Sequence, residues 1–312
     1  MNTKMTILTA GALIGTLAAC GDSGDSAGAD GVAPRASQGP ALMDLAFISA
    51  SKGWAVGESG HALETADGGD TWTPRALGTS ATLRAITFAD SLHGWMVGSE
   101  GCVLATTDGG ATWTPRVSGT AQLLTDIDFV DDQNGWIVGA DGLVLRTSDG
   151  GDTWTPQASG TAEGLHAVAF ADASIGLAVG CGGVILRTAD GGARWSLQAA
   201  TGRALHDVRF LDETKVRAVG AGGQILISFN QGLTWTTEVS GTTADLLSLC
   251  AGEGWTAWIA GDAGTILRTS DDGYTWSARS SGETGALYAI TLDGRDRIRA
   301  AGDADAILVA AP

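Results

Sequence analysis

The stretch Gly135-Trp-Ile-Val-Gly139-Ala-Asp-Gly-Leu-Val-Leu-Arg-Thr-Ser-Asp149-Gly-Gly-Asp-Thr-Trp154 carries two signals that recur along the chain. The first is its opening Gly-Trp-x-Val-Gly segment. The glycine that ends it returns at Gly57, Gly98, Gly139, Gly180, Gly220, Gly261 and Gly302, at intervals of 41, 41, 41, 40, 41 and 41 residues. The second is Thr-x-Asp-Gly-Gly-x-Thr-Trp, whose final residue falls at Trp72, Trp113, Trp154, Trp195, Trp235 and Trp276 with the same period. A third series, Leu83, Ile86 and Phe88, returns as Leu124, Ile127, Phe129 and as Leu165, Val168, Phe170. Series that share one period define a repeated supersecondary unit that buries its faces only by stacking on its neighbours.

Each repeat reads as four short strands. In the second, Leu83 to Phe88 is the first strand, with Ile86 and Phe88 on one face. Gly94 to Gly98, Cys102 to Thr107 and Thr112 to Val117 follow, with the turn Asp108-Gly-Gly110 before the last. Glycine supplies φ > 0 in that turn, and the Asp carboxylate accepts backbone N–H groups two residues on. The Trp ring then folds against the blade. The turn residues Asp67, Asp108, Asp149, Asp190, Asn230 and Asp271, with Trp72, Trp113, Trp154, Trp195, Trp235 and Trp276, are therefore read as structural. Radial packing of four-stranded antiparallel blades gives an all-β, seven-bladed β-propeller over residues 32–312. Six repeats contain the turn, whereas the seventh stops at its third strand, Ala306-Ile-Leu-Val309. Val32-Ala-Pro-Arg35 matches Trp72-Thr-Pro-Arg75, so residues 32–37 are expected to close the ring by pairing with the last blade.

The first residues read as a targeting segment. Lys4 supplies positive charge, Met5 to Ala19 is apolar but too short to span a bilayer, and Leu17-Ala-Ala-Cys20 follows. Small residues before a Cys resemble the bacterial lipoprotein signal. That resemblance implies a signal peptide over residues 1–19 and lipidation of Cys20, with several acyl chains giving a stable membrane anchor. Gly21 after the Cys implies, by the same resemblance, the outer membrane. Residues 20–31 read as a flexible acidic tether, so the propeller is expected in the periplasm or at the cell surface. Cys102, Cys181 and Cys250 fall in different blades and read as small buried residues. Their odd number leaves at least one free thiol or an intermolecular bridge.

Lys and Arg total 18 against 35 Asp and Glu, a net charge of −17. Phosphate binding needs a basic footprint, so a nucleic-acid partner is excluded.

The stretch from Gly135 to Trp154 closely resembles the repeats of the photosystem II stability/assembly factor family, whose members are seven-bladed propellers built on this turn, the Asp box. The resemblance covers nearly the whole chain after the tether. It implies a non-catalytic scaffold, since photosynthetic members hold unassembled subunits. Their arginine-rich patch has no residue-by-residue counterpart here. Asp boxes also resemble those of sialidases and some glycoside hydrolases, so the alternative is a carbohydrate-active propeller enzyme. The sialidase Arg-Ile-Pro motif is approached by Arg297-Ile-Arg299, without the Pro.

Two places read as candidate binding surfaces. The starts of the innermost strands carry Met43, Arg84, Thr125, His166, His206, Leu247 and Tyr288, aligned at the repeat period yet different in type. The loops beside them carry Glu58, Glu100, Asp141, Asp262 and Asp303. Arg84, His166, His206, Tyr288, Glu100, Asp141, Asp262 and Asp303 are the candidate partner-binding rim, which read plainly is a solvated edge. On the opposite face, the second-strand Trp (Trp54, Trp95, Trp136, Trp258) becomes Arg217 and Arg299, near Lys215, Arg295 and Arg297. These five form a candidate basic patch for an acidic partner, or mark decay of two repeats. The reading is a monomeric scaffold for a protein partner. A carbohydrate ligand stays open, no catalytic residue is nominated, and no metal or cofactor is expected because the His and carboxylates lack ligand spacing.

Overall fold

The computed structural model describes residues 39–293 and 295–310. It is a ring of seven antiparallel blades. The innermost strands are Leu42–Phe47, Leu83–Phe88, Leu124–Phe129, Leu165–Phe170, Leu205–Phe210, Leu246–Ala251 and Leu287–Leu292, in blades one to seven. Blades one to six are four-stranded sheets in simple sequential order. Among the described residues blade seven has three strands, Leu287–Leu292, Ile298–Gly302 and Ile307–Ala310. The expected closing strand, residues 32–37, lies outside the described residues. The described chain begins against blade seven, where a Cβ added at Gly39 would sit 2.9 Å from the Asp305 Cβ. The innermost strands of blades one and seven pack together as every other adjacent pair does, so the ring is continuous at its centre.

The core lies between blades rather than inside them. Trp136, Val138 and Val144 of blade three pack on Leu165, Val168, Phe170 and Ala178 of blade four, and the other seams repeat the pattern. Each inner strand is thus covered on both faces. In blade two all six residues from Leu83 to Phe88 are buried, not just the face carrying Ile86 and Phe88.

The Asp boxes pin the outer edges. In blade three, Thr147 and Thr153 hydroxyls donate to the two Asp149 oxygens at 2.7 and 2.6 Å. The Thr153 N–H also donates to Asp149, so the carboxylate reaches four residues on rather than the two expected. Gly150 and Gly151 have φ of 72° and 86°, which a side chain resists. Asn230 keeps the geometry in blade five, accepting from the Thr234 N–H and donating to its hydroxyl. In blades one to four the box Trp ring then stands edge-on to the Phe that ends its own inner strand, as Trp154 does to Phe129 at 5.9 Å.

Candidate functional site

One face of the ring carries the inner-strand starts and the short turns between second and third strands; the other carries the Asp boxes. Every inner strand has a register shift across its second residue, for example between Leu83 and Ala85. The aligned, variable positions Met43, Arg84, Thr125, His166, His206, Leu247 and Tyr288 are therefore β-bulges. A bulged residue leaves the ladder and is re-aimed.

Here the structure corrects the expected rim. Arg84, His166 and His206 are buried, and Tyr288 is half-buried. At this depth the seven strands converge, and the bulged side chains fill the space and tie one blade to the next. The Thr125 hydroxyl donates to Leu165 O of blade four at 2.7 Å. His166 Nδ1 lies 2.8 Å from Leu205 O, in the same relation to blade five. The His166 and His206 rings stack at 5.4 Å. Burial pushes both down, His166 to about 3 with help from His206, and His206 to about 4. The pair is neutral at physiological pH and offers no charge to a ligand.

The loop acids divide. Glu100 and Asp141 are exposed, whereas Asp262 and Asp303 are half-buried. The Tyr288 hydroxyl donates to Asp303 Oδ1 at 2.9 Å, and burial with that carboxylate raises the phenol. Burial also raises Asp262, reinforced by Asp245 and Asp303. Among the described residues, no group of three or more His, Cys, Asp and Glu is arranged to hold a metal ion.

Deeper in the channel lies a group that the sequence reading missed. Asp44, Asp126 and Asp207, in blades one, three and five, are buried. Each uses one oxygen for the next N–H of its own strand and the other for an N–H of the following blade. Those second donors, Ile86, Val168 and Leu249, all lie at 2.8 Å. Ser248 makes the corresponding bond to Ile290 at 3.2 Å. The signal was present: the third position of the inner strand reads Asp44, Ala85, Asp126, Ala167, Asp207, Ser248, Ala289. Arg209 stands among these carboxylates, 3.3 Å from Asp207. Burial opposes its charge, but Asp207, Asp126, Asp44 and Asp128 more than offset that.

One arginine does not neutralise four acids. Burial raises Asp44 and Asp128, and pushes Asp126 up to about 7 and Asp207 up to about 6. An unfolded Asp titrates near about 3.9. Between that value and about 7 these acids therefore bind more protons in the folded chain than in the unfolded one, and their contribution to stability falls as pH rises. The lowered His166 and His206 act in the opposite sense up to about 6.5, where an unfolded His loses its proton. Asp126→Ser, which installs the residue that blade six carries at this position, is therefore expected to make urea stability at about pH 8 higher relative to that at about pH 5 than it is in the parent. An unchanged pH dependence in the variant would exclude this account. The box acids act in the opposite sense: hydrogen bonds from Thr112 and Thr153 first of all lower Asp108 and Asp149 to about 2. Their contribution is lost as pH falls through the acid range.

The second candidate, the basic patch, is also largely spent inside the fold. Trp95 and Trp136 each donate from Nε1 to a box carbonyl of the next blade, Gly150 O at 2.8 Å and Gly191 O at 3.0 Å. Arg217 and Arg299 do the same job. Arg217 donates to Asp272 O at 3.0 Å, holds Glu238 through two bonds, and lies 5.2 Å over Trp276. Arg299 donates to Gly68 O at 2.6 Å and pairs with Asp70 and Asp293. Both are almost fully buried. The substitutions are thus compensated ties rather than decay, and these two charges do not face a partner. Lys215 pairs with Asp272, and Arg297 with Asp70 and Asp293. Arg295, about half exposed and 3.4 Å from Asp70, is the most open of the five. The five divide between the seam of blades five and six and the seam of blades seven and one. Cys20 lies outside the described residues.

Repeat geometry, box hydrogen bonding and blade count together define a seven-bladed Asp-box propeller. Its sequence matches the family model described as photosynthesis system II assembly factor YCF48 over residues 35–83, 75–122 and 117–199, and the chain belongs to that family. The photosystem II assembly protein Ycf48 of Thermosynechococcus vestitus is 47% identical over 36 residues, 12% of this chain and 10% of that protein. The chain thus aligns with only a tenth of that relative's length. Among solved structures, YCF48 bound to D1 peptide has a TM-score of 0.74 at 24% identity, covering 88% of this chain and 92% of that one. YCF48 from Cyanidioschyzon merolae has a TM-score of 0.71 at 22% identity, covering 86% and 95%. The GH74 xyloglucanase from Xanthomonas campestris has a TM-score of 0.68 at 15% identity, covering 86% of this chain and 52% of that enzyme. At these identities the structural likeness is one of fold.

Proposed function

We propose that the chain is a non-catalytic binding or assembly scaffold that presents its propeller to a protein partner in the cell envelope. The observation that carries this reading is family membership, joined to a fold shared with YCF48 bound to D1 peptide. The propeller is held to a membrane, in this reading the outer one, by lipid on Cys20 and the tether of residues 20–31. Cys20→Ser is expected to move the protein from the membrane to the soluble fraction with loss of an acyl label. A variant that stays on membranes with its label intact rules the anchor out.

The carbohydrate-active alternative draws on the fold likeness to the xyloglucanase. Glycoside hydrolysis needs two carboxyl groups facing each other about 5–10 Å apart across the substrate. The Asp-box acids are engaged in their own turns, and Asp44, Asp126 and Asp207 are sealed in the channel. This supports the scaffold. Photo-crosslinkers at exposed Asp141 and Asp152, one on each face, are expected to capture one defined polypeptide from native membranes. Turnover of xyloglucan or sialosides by the purified chain would instead establish the enzyme reading.

A further inference from the structure

The box face is not uniform around the ring. One repeat position, just after the box glycines, carries Asp70, Ala111, Asp152 and Ala193 in blades one to four, then Leu233 and Tyr274 in blades five and six. A second, just before the box acid, carries Ala66, Thr107, Ser148 and Ala189, then Phe229, then Ser270. A third, three residues before the second-strand Trp, Arg or, in blade four, Leu177, reads Ser51, Leu92, Gln133, Ser174 and Thr214, then Trp255, then Asp296. Three separate positions thus turn large and apolar in the same two adjacent blades.

All four side chains face solvent: Phe229 is 62% exposed, Leu233 51%, Trp255 65% and Tyr274 87%. Phe229, Trp255 and Tyr274 are brought together at the seam of blades five and six, whereas Leu233 stands in the blade-five box, whose Gly232 lies against Leu177 of blade four. Lys215 Nζ lies 5.8 Å from the Phe229 ring centroid and pairs with Asp272 of blade six. The Asp272 N–H donates to Trp255 O at 3.0 Å, and Tyr274 follows two residues later. No fold requirement explains them, because, Leu92 of blade two apart, blades one to four build the same turns with small or polar residues. Grouped exposed aromatic surface of this kind marks an interaction site, whereas a lone exposed apolar residue does not.

The surroundings select the occupant. The 211–215 loop, which hydrogen-bonds the blade-five box, exposes Asp212 and Glu213, the Trp255 loop exposes Glu253, and the nearby cation Lys215 is already paired. The whole chain carries a net charge of −17. Aromatic faces ringed by carboxylates attract ammonium and guanidinium groups through the ring quadrupole and through unlike charge. The geometry points to a docking surface at the blade five–six seam for a polypeptide segment in which Lys or Arg alternate with apolar side chains. This rests on the scaffold reading above and adds the place and chemistry of the contact.

The test uses the full chain and a variant in which each patch residue becomes one found at the same repeat position elsewhere: Phe229→Ser, Trp255→Ser and Tyr274→Ala. Since those residues already serve in other blades, the melting temperature should stay within about 2 °C. The probe is a short labelled peptide of alternating Lys and Leu with one Phe, and its control replaces Lys by Glu. The parent should bind the Lys peptide, more weakly as salt rises, and ignore the Glu peptide. The variant should bind it at least about tenfold more weakly. Equal binding by parent and variant, or no binding by the parent, overturns the inference. So does a patch-dependent response to xyloglucan oligosaccharide or a patch-dependent dimer in sedimentation, each of which would name a different occupant. Crosslinking to a membrane polypeptide that survives in the variant sinks the patch alone. Absence of any crosslink in the parent sinks the scaffold reading itself.

Discussion

Arg299→Ala is expected to destabilise the folded protein by about 3–5 kcal/mol, the range seen when one partner of a buried ion pair is removed. The guanidinium is almost fully buried and binds Asp293, Asp70 and the Gly68 carbonyl across the seam between blades seven and one. Truncation leaves the fully buried Asp293 carboxylate with Arg297 as its remaining cation. Asp293 stands where the other blades carry Ile48, Ala89, Val130, Ala171, Leu211 and Gly252. The acid and the arginine are thus a matched pair. The double variant Arg299→Ala with Asp293→Ala should therefore lose clearly less than the sum of its two single variants. Urea midpoints of the four proteins measure this. Additive single effects, or a loss below about 1 kcal/mol for Arg299→Ala, would show that the seam does not depend on the ion pair.

Trp136→Ala should cost about 3–5 kcal/mol, as buried aromatic truncations generally do. Trp136 is fully buried, stacks on Phe170 at 3.5 Å and donates to Gly191 O at 3.0 Å. It therefore combines core volume with the tie between blades three and four. Asp149→Ala should cost less, because it removes hydrogen bonds of an exposed turn and leaves no cavity. Chemical denaturation of both variants separates the two roles. A larger loss for Asp149→Ala would mean that the box turn, rather than the seam, holds the blade.

Blade number, strand order and the structural role of the boxes were legible because each repeats. A residue type that recurs every 41 residues reports a local requirement that every blade shares. The positions that differ between blades are harder to read. Arg84, His166 and His206 suit a polar rim because they are polar and variable, yet both properties also suit side chains that bridge neighbouring strands. Arg217 and Arg299 resemble decayed tryptophans in the sequence because their acceptors, Asp272 O and Gly68 O, lie 55 and 231 residues away. The Asp and Ser series from Asp44 to Ser248 is visible at its own period, but nothing local announces that its second oxygen serves the next blade.

By itself the sequence determined the propeller, since period-two strands, glycine turns with positive φ and box hydrogen bonds all form within one repeat of about 41 residues. Only the tertiary structure decided which charges remain available. Ring closure brings strands from different repeats together around a narrow channel and along the seams. Burial and pairing there neutralise the histidines, lock Arg217 and Arg299 in place, and leave four acids around Arg209. Solvent exposure and partner distance are properties of that packing, and no residue carries them in its identity or its spacing.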